Sequence, residues 1–551
     1  MTDFAHPSSL SGPMKIIVAD PISERGVELL REPGWEVVRT TKDTLAAEIA
    51  AAEALVVRSA TRVTADLLES AAKLLVVGRA GVGVDNVDLD AATRRGVLVM
   101  NTPGGNAPSV AEHTVALLLA LARRIPTLDA AMHAGRWEKS KGIGTELRGK
   151  TLGLIGMGRV GSEVARRTRA LEMKVLAYDP YLTESAAREA GVSLVSLDEL
   201  LAQSDYISLH TALVPETERI INTQSLAKMK KGAHLVNTAR GELVDEAALA
   251  DALQSGHLGG AALDVFVVEP PKDSPLVALP NVVATPHVGG STVEAQEEVG
   301  TLIAQQVRDY LASGVVRNAV NLPSLSAEQY RRVQPYLALA ERLGSMVAQV
   351  IAGRGTRLER VRIAYAGEPA EMGTRVLRSA VLAGVLNAAL AEKANLVNAE
   401  SIASSRGLVV EERAGRREHG FPDTIEVTGD TSASRASSEP GKGAFTVEGT
   451  VLEGTSPRVL RVDGMALEAP LEGTLLLIRN RDVPGAIGKV GTLLGSLNMN
   501  IATYALGRRA PVPEAEAVSL VRLDGEVPDS ILPPLREIPA ITEARLIRLP
   551  S

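Results

Sequence analysis

A chain of 551 residues exceeds what one hydrophobic core holds, and at roughly 150 residues per domain it should divide into three or four. Hydrophobic residues at 45% and charged residues at 23% are globular values, while only 3% aromatics and a formal net charge of -7 disfavour nucleic acid, glycan and polyanionic partners. The absence of cysteine excludes disulfides, thiol catalysis and zinc-thiolate sites, and no metal site is expected.

In chain order, Met1 to Pro13 carries no Lys or Arg and no apolar run, so it reads as a disordered leader rather than a secretory signal, with Met14 as an alternative start. From Met14 to about Asn101, apolar runs at Lys15–Ala19, Ala54–Arg58, Leu74–Gly78 and Val97–Met100 alternate with helical patterns, which predicts a parallel sheet covered on both faces. The block from about 112 to 294 repeats this with Thr151–Ile155, Lys174–Tyr178, Tyr206–His210, His234–Asn237 and Val282–Thr285. Helical patterns at Ser109–Arg123 and Val293–Ser313 flank that block and are expected to cross between domains. The first domain would then be discontinuous, 14–111 plus 295–327, around a cofactor domain at 112–294.

After Pro323 a helical stretch at Ala327–Ala352, a strand at Leu358–Tyr365 and a Gly/Ser-rich loop at Gly429–Gly443 predict a domain of mixed type over 328–470. Thr474–Ile478, a helix begun by Pro484-Gly485, Asn500–Ala505 and Ala517–Leu523 give strand-helix-strand-strand in a small α+β module over 471–551. The longest apolar stretch, Val115–Ala122, falls far short of the ~20 residues a membrane span requires, and a cytoplasmic enzyme is expected.

Gly156-Met157-Gly158-Arg159-Val160-Gly161 follows an apolar strand and opens a helix. Alone, such glycines could serve a tight turn. In this context Gly156 makes the turn, Gly158 lets a pyrophosphate approach the helix N-terminus, and Gly161 lets helix and strand pack closely. Asp179, at the end of the next strand, is placed to accept the ribose hydroxyls and repels a 2′-phosphate, and Pro180-Tyr181 brings no cation to hold one. NAD is therefore expected over NADP.

Three later segments stand at strand ends, where open α/β sheets bind ligands: Asn237-Thr238-Ala239-Arg240-Gly241, Asp264 to Glu269-Pro270, and Thr285-Pro286-His287-Val288-Gly289-Gly290. With the glycine fingerprint, and in this order, they resemble the D-isomer-specific 2-hydroxyacid dehydrogenases over roughly residues 14 to 322. The resemblance makes His287 the general acid/base for the C2 hydroxyl, with Glu269 beside it to set its tautomer. Arg240 has the planar fork to clamp the substrate carboxylate and polarise the C2 oxygen. Singly these residues could be a core histidine, a surface acid and a structural ion pair; together, behind the fingerprint, they read as a site. The resemblance also assigns Val82, Arg159, Val160, Thr211, Thr238, Asp264 and Gly290 to the cofactor, with Asp264 facing the carboxamide and Arg159 the pyrophosphate.

Arg58 and Arg79 follow apolar strands that deliver them to the cleft, and Gly81 and Gly83 can present backbone N–H groups to a carboxylate. Asn106 adds a polar contact, and Arg136, Lys139 and Lys141 form a basic loop that could close from a neighbouring subunit. Val57-Arg58-Ser59-Ala60-Thr61 and Thr102-Pro103-Gly104-Gly105-Asn106 resemble the phosphoglycerate-oxidising branch of the family, which implies D-3-phosphoglycerate as substrate. Reduction of 2-oxoglutarate by the same site, or an NAD-sensing binding protein, are the rival readings.

The last module resembles ACT ligand-binding domains, with Asn480, Asp482 and Asn500 as the implied shell for a small amino acid beside Pro484-Gly485. L-serine is the implied effector. Residues 328 to 468 resemble the intervening domain of the long phosphoglycerate-oxidising enzymes, with Arg458 and Arg461 as anion ligands or the whole as a spacer. The expected fold is two Rossmann-like doubly wound parallel sheets, an α+β intervening domain and a ferredoxin-like ACT domain, in a homo-oligomer, dimer or tetramer.

Overall fold

A computed structural model describes residues 13–322, 327–371, 374–389, 394–414, 420–431, 443–512 and 514–550. The leader expected before Pro13 and most of the Gly/Ser-rich loop after Thr431 lie outside the described residues. The chain divides into two compact units, Thr102–Leu302 and the remainder.

In the remainder, β1 (Met14–Val18), β2 (Trp35–Arg39), β3 (Ala54–Val57), β4 (Val76–Arg79) and β5 (Leu98–Met100) form a parallel sheet in the order β2-β1-β3-β4-β5. Every residue of β3 is buried, as continuous apolar runs in a doubly covered sheet require. Strand β2 is missing from the sequence reading because it is an edge strand with Glu36 and Arg39 exposed, so its apolar content is low.

In the unit Thr102–Leu302, β6 (Thr151–Ile155), β7 (Lys174–Tyr178), β8 (Ser193–Leu194), β9 (Tyr206–Leu209), β10 (His234–Asn237), β11 (Gly260–Leu263) and β12 (Val282–Ala284) form a second parallel sheet. Its order is β12-β11-β10-β9-β6-β7-β8. The winding reverses between β6 and β9, which is where such sheets open a ligand crevice at their C-terminal ends. Strand β11 is wholly buried but reads Gly-Ala-Ala-Leu, with no β-branched residue to announce a strand.

Beyond 327, β13 (Leu358–Ala366), β14 (Val409–Ala414), β15 (Thr424–Thr431), β16 (Ala444–Leu452), β17 (Ser456–Val462) and β18 (Met465–Pro470) lie in the order β14-β13-β15-β16-β17-β18, antiparallel except for β13 with β14. The helices Ala327–Gly353 and Thr374–Ala389 accompany this sheet. At the C-terminus β19 (Thr474–Arg481), β20 (Ile501–Arg508), β21 (Glu516–Leu523) and β22 (Ile541–Arg548) form an antiparallel sheet in the order β20-β21-β19-β22. The helices Ala486–Ser496 and Leu532–Arg536 complete a β-α-β-β-α-β module, one helix and one strand more than the sequence pattern gave.

Strand alternation divides this last sheet between two cores. Leu476, Ile478 and Val521 pack with Val490, Leu494 and Leu535 of the module's own helices. Leu475, Leu477, Val518, Leu520 and Ile547 join one core with Leu339, Leu343, Phe445 and Val459 of the preceding domain. Arg479 is 8% exposed and bridges Glu516, Glu543 and Asp463, the last on the β17–β18 turn. Burial opposes its charge, but the three carboxylates outweigh that and hold the guanidinium above its ordinary value. The module and the intervening domain are thus bound by a shared core and a buried ion network.

Candidate active site

The turn after β6 has the geometry its glycines foretell. Gly156 takes a φ of 95°, and a Cβ there would stand 2.6 Å from the His210 carbonyl oxygen. A Cβ on Gly161 would lie 2.2 Å from the Gly156 carbonyl oxygen, whereas one on Gly158 meets nothing within 4 Å. Space therefore opens where the helix Arg159–Ala170 presents its N-terminus. Asp179 accepts the N–H of Met157 at 2.9 Å through Oδ2 and that of Tyr181 at 2.9 Å through Oδ1, which holds its carboxylate beside the turn. Val160 is half-buried in the first helical turn. Arg159 is exposed, and its guanidinium bonds the Pro103 carbonyl within this unit. His210, which carries no motif, hydrogen-bonds Ser208 at 2.9 Å; burial pushes its imidazole down to about 3, leaving a neutral ring behind the turn.

The loop after β12 carries His287 in the left-handed region, φ 53°. Nδ1 of His287 lies 2.8 Å from Glu269 Oε2, and Glu269 Oε1 accepts the Phe266 N–H at 3.2 Å. The carboxylate thus assigns the Nδ1 proton and leaves Nε2 for chemistry. Arg240 follows β10, where Asn237 Oδ1 accepts the Ala239 N–H and Asn237 Nδ2 donates to the Arg240 carbonyl. A Cβ on the next residue, Gly241, would lie 2.1 Å from the Phe266 carbonyl carbon, so only glycine lets the Arg240 turn press against the loop that carries Glu269.

Asp264 directly follows β11. It is 1% exposed, and its two oxygens accept Thr285 Oγ1–H at 2.6 Å, the Val288 N–H at 2.9 Å and the Gly289 N–H at 2.8 Å, with His113 Nε2 at 3.3 Å. Burial alone would raise this carboxyl, but the donors from His113, Thr285, Val288 and Gly289 outweigh it and hold Asp264 below the usual range. A carboxylate so held organises the His287 loop. His113, on the helix Ala107–Arg123, also meets Thr285 Oγ1 at 3.0 Å, and a lone histidine inside a helix carries no spacing signal in the sequence.

Of the remaining cofactor residues, Thr211 adjoins Gly156, and Thr238 is buried with its hydroxyl 2.9 Å from Thr114 Oγ1. Gly290 lies against Asn106, whose Nδ2 would stand 2.6 Å from an added Cβ. In the other unit, Arg58 and Arg79 end neighbouring strands, Val57 pairing with Arg79 in register. The Arg79 guanidinium lies over Gly81, Gly83 is half-buried, and Val82 is 38% exposed with its carbonyl accepting from Asn101 Nδ2 at 2.5 Å. Arg136 and Lys141 pair with Glu138 at 3.2 and 3.3 Å, and Lys139 stands exposed beside them.

Comparison with known proteins bears on this geometry. The model of the D-isomer specific 2-hydroxyacid dehydrogenase NAD binding domain matches residues 115–289, and that of the D-3-phosphoglycerate dehydrogenase intervening domain matches residues 332–463. A D-3-phosphoglycerate dehydrogenase of Methanocaldococcus jannaschii is 42% identical over 97% of this chain and 100% of its own. One of Bacillus subtilis is 39% identical over the same shares of the two chains. The chain belongs to the D-3-phosphoglycerate dehydrogenases. Among solved structures, a Thermus thermophilus protein covers 56% of this chain and all of its own at 39% identity and a TM-score of 0.51. A glyoxylate reductase of Paecilomyes thermophila covers 56% of this chain and 98% of its own at 30% identity and a TM-score of 0.51.

As a D-3-phosphoglycerate dehydrogenase the chain is an NAD-dependent oxidoreductase. The open space at Gly158, the positive φ of Gly156 and the carboxylate of Asp179 beside Met157 fit a dinucleotide. Among the described residues no helix is long and apolar enough to cross a membrane.

The three residues expected to hold an effector are spread along the last sheet. Asn480 is 6% exposed and bonds the Arg481 carbonyl at 2.9 Å, and Asp482 pairs with Arg508 at 3.0 Å. Asn500 bonds Asp524 at 2.6 Å at the far end of the sheet, where Leu523 faces both Ile501 and Thr474. The length of the eight-residue strand β19, roughly 25 Å, separates Asn500 from Asp482, so one module cannot close all three on one ligand. Arg458 and Arg461 pair with Glu468 at 3.0 Å and Glu448 at 3.5 Å, so these cations already have carboxylate partners.

Proposed function

We propose that the chain oxidises D-3-phosphoglycerate to 3-phosphohydroxypyruvate with NAD, the first step of L-serine synthesis. The observation that carries this choice among 2-hydroxy acids is the pair Arg58 and Arg79 at adjacent strand ends, two cations suited to a doubly charged phosphate. When bound, NAD supplies the acceptor for the hydride that leaves C2. His287, its Nδ1 held by Glu269, takes the hydroxyl proton on Nε2. Arg240 clamps the carboxylate and polarises the C2 oxygen, and Asp264 keeps the His287 loop in place while facing the carboxamide end of the cofactor. Val82, Arg159, Val160, Thr211, Thr238 and Gly290 border the cofactor; Gly81, Gly83 and Asn106 contact substrate, joined by Arg136 or Lys139 from a neighbouring subunit.

The working form is a cytoplasmic dimer or tetramer whose domains divide near 111, 294, 327 and 470. L-serine is its effector, docking where Asp482 and Asn480 stand near the start of the helix Ala486–Ser496, with its ammonium displacing Arg508 from Asp482. Incubation with NAD and either D-3-phosphoglycerate or D-2-hydroxyglutarate, with the product identified by mass, tests the main reading. The expected product is 3-phosphohydroxypyruvate. Preferred turnover of hydroxyglutarate would favour the 2-oxoglutarate reading, and NAD binding without turnover would favour an NAD-sensing protein.

A further inference from the structure

The segment that carries Arg58 is gripped by two side chains to which the reaction gives no part. Asp20, just after β1, is 5% exposed. Its Oδ2 accepts the Arg58 N–H at 2.6 Å and the Thr61 N–H at 3.1 Å, and its Oδ1 accepts the Thr61 hydroxyl at 2.7 Å. From Asn86, Nδ2 donates to the Arg58 carbonyl at 2.7 Å and to the Thr61 carbonyl at 2.6 Å. The Asn86 carbonyl in turn accepts the Val63 N–H at 2.8 Å, which ties the next stretch of chain to the same support.

Four backbone groups of Arg58–Thr61 therefore end on two side chains, while Ser59 and Ala60 between them are exposed. A segment beyond the end of its strand has no ladder to set its dihedrals, so these bonds set them. Because the bonds hold both the N–H and the C=O of Arg58, they fix the direction in which its side chain leaves the backbone. The guanidinium's own tether is slight, Nη1 to the Pro21 carbonyl at 3.4 Å.

We propose that Asp20 and Asn86 are positioning residues for substrate recognition, holding Arg58–Thr61 so that the Arg58 guanidinium meets the phosphorylated end of the substrate. The proposal rests on the reading of Arg58 as a phosphate ligand. Misplacing a recognition group by about 1 Å can cost as much as 10²-fold. In Asp20→Ala and Asn86→Ala, KM for D-3-phosphoglycerate should rise by about tenfold or more, and the inhibition constant of inorganic phosphate should rise in parallel. Turnover at saturation and the Kd for NAD should stay near wild type. Asp20→Asn, which keeps an oxygen for the Arg58 N–H, should recover part of the loss. A merely structural role would lower the folded fraction and the melting temperature without moving KM or the phosphate constant.

If Asp20→Ala does not fold, Asn86→Ala decides, because that side chain is neutral and only half-buried. A folded Asn86→Ala with unchanged KM and phosphate constant overturns the proposal, as does a Kd for NAD that rises in step. Arg58→Ala separates the two levels. Raised KM there, with none in the Asp20 and Asn86 variants, overturns the positioning role alone; unchanged KM in Arg58→Ala overturns the phosphate reading and this proposal together.

Discussion

Asp264 and Arg479 are both buried ions with several partners, and they organise the molecule on different scales. The partners of Asp264 are mostly backbone and hydroxyl donors of one short loop, Thr285 to Gly289, with His113 behind them. The partners of Arg479 are carboxylates on β21, on β22 and on the β17–β18 turn, so this ion ties the last sheet to the domain before it. One ion shapes a site; the other joins two domains. A buried charge whose partners gather on one short loop shapes that loop, whereas one whose carboxylate partners stand in two domains joins them.

The largest effect expected is at the loop Asp264 supports. His287→Ala should lower turnover by roughly 10²- to 10⁴-fold while NAD titration is unchanged, and near-normal rates would remove His287 from the reaction. Next, Arg479→Leu leaves three carboxylates facing one another in a partly buried setting, which should destabilise the C-terminal half by about 3 to 5 kcal/mol in denaturant unfolding. Deleting everything after 470 should do likewise, since it strips Leu475, Leu477, Val518 and Leu520 from the shared core. An independently stable shortened enzyme would break the comparison on that side.

Asp264→Ala sharpens it on the other. With the Val288 and Gly289 N–H groups freed, turnover should fall by about 10²-fold through displacement of His287, while the unfolding of the C-terminal half stays as in wild type. Acid separates the two ions further. Because the folded Asp264 carboxyl is held below its ordinary value of about 3.9, its contribution to stability is complete above that pH and is lost as pH falls through the folded value. Protection factors for amide exchange in the His287 loop, which remove the intrinsic pH dependence of exchange, should therefore stay level from pH 5 to 8 and fall only below about pH 4, and a loss of protection near neutrality would contradict the assignment. The smallest effect is at Asp179, where Asp179→Ala should narrow the preference for NAD over NADP by about tenfold, as read from the ratio of kcat/KM values; an unchanged ratio would mean another residue reads the ribose.

The dinucleotide turn is legible because its requirements are backbone requirements: Gly156 and Gly161 meet constraints on φ or close approach, and Gly158 leaves open space at the helix N-terminus. Strands β8 and β11 were not legible, one being two residues long and the other built of glycine and alanine. His287, Glu269 and Arg240 can be named by chemistry, but the tie that places the His287 loop runs through His113 and Asp264, 151 residues apart by their numbers, and no local pattern pairs them. Asp20 carries no local signal for the same reason, since its partners Arg58 and Thr61 come from another strand's end. In the C-terminal module no local pattern tells that Asn500 and Asp482 stand at opposite ends of the sheet, with a helix that returns along it between them.

Selectivity for the phosphate is the decisive property of the site. The measurement is the ratio of kcat/KM for D-3-phosphoglycerate to that for D-glycerate, which lacks only the phosphate, in the wild type and in Arg58→Ala. The account predicts a strong wild-type preference for the phosphorylated acid that falls by roughly ten- to 150-fold when this one charge-assisted contact is removed. A wild type indifferent to the phosphate, or a ratio that Arg58→Ala leaves unchanged, would contradict it.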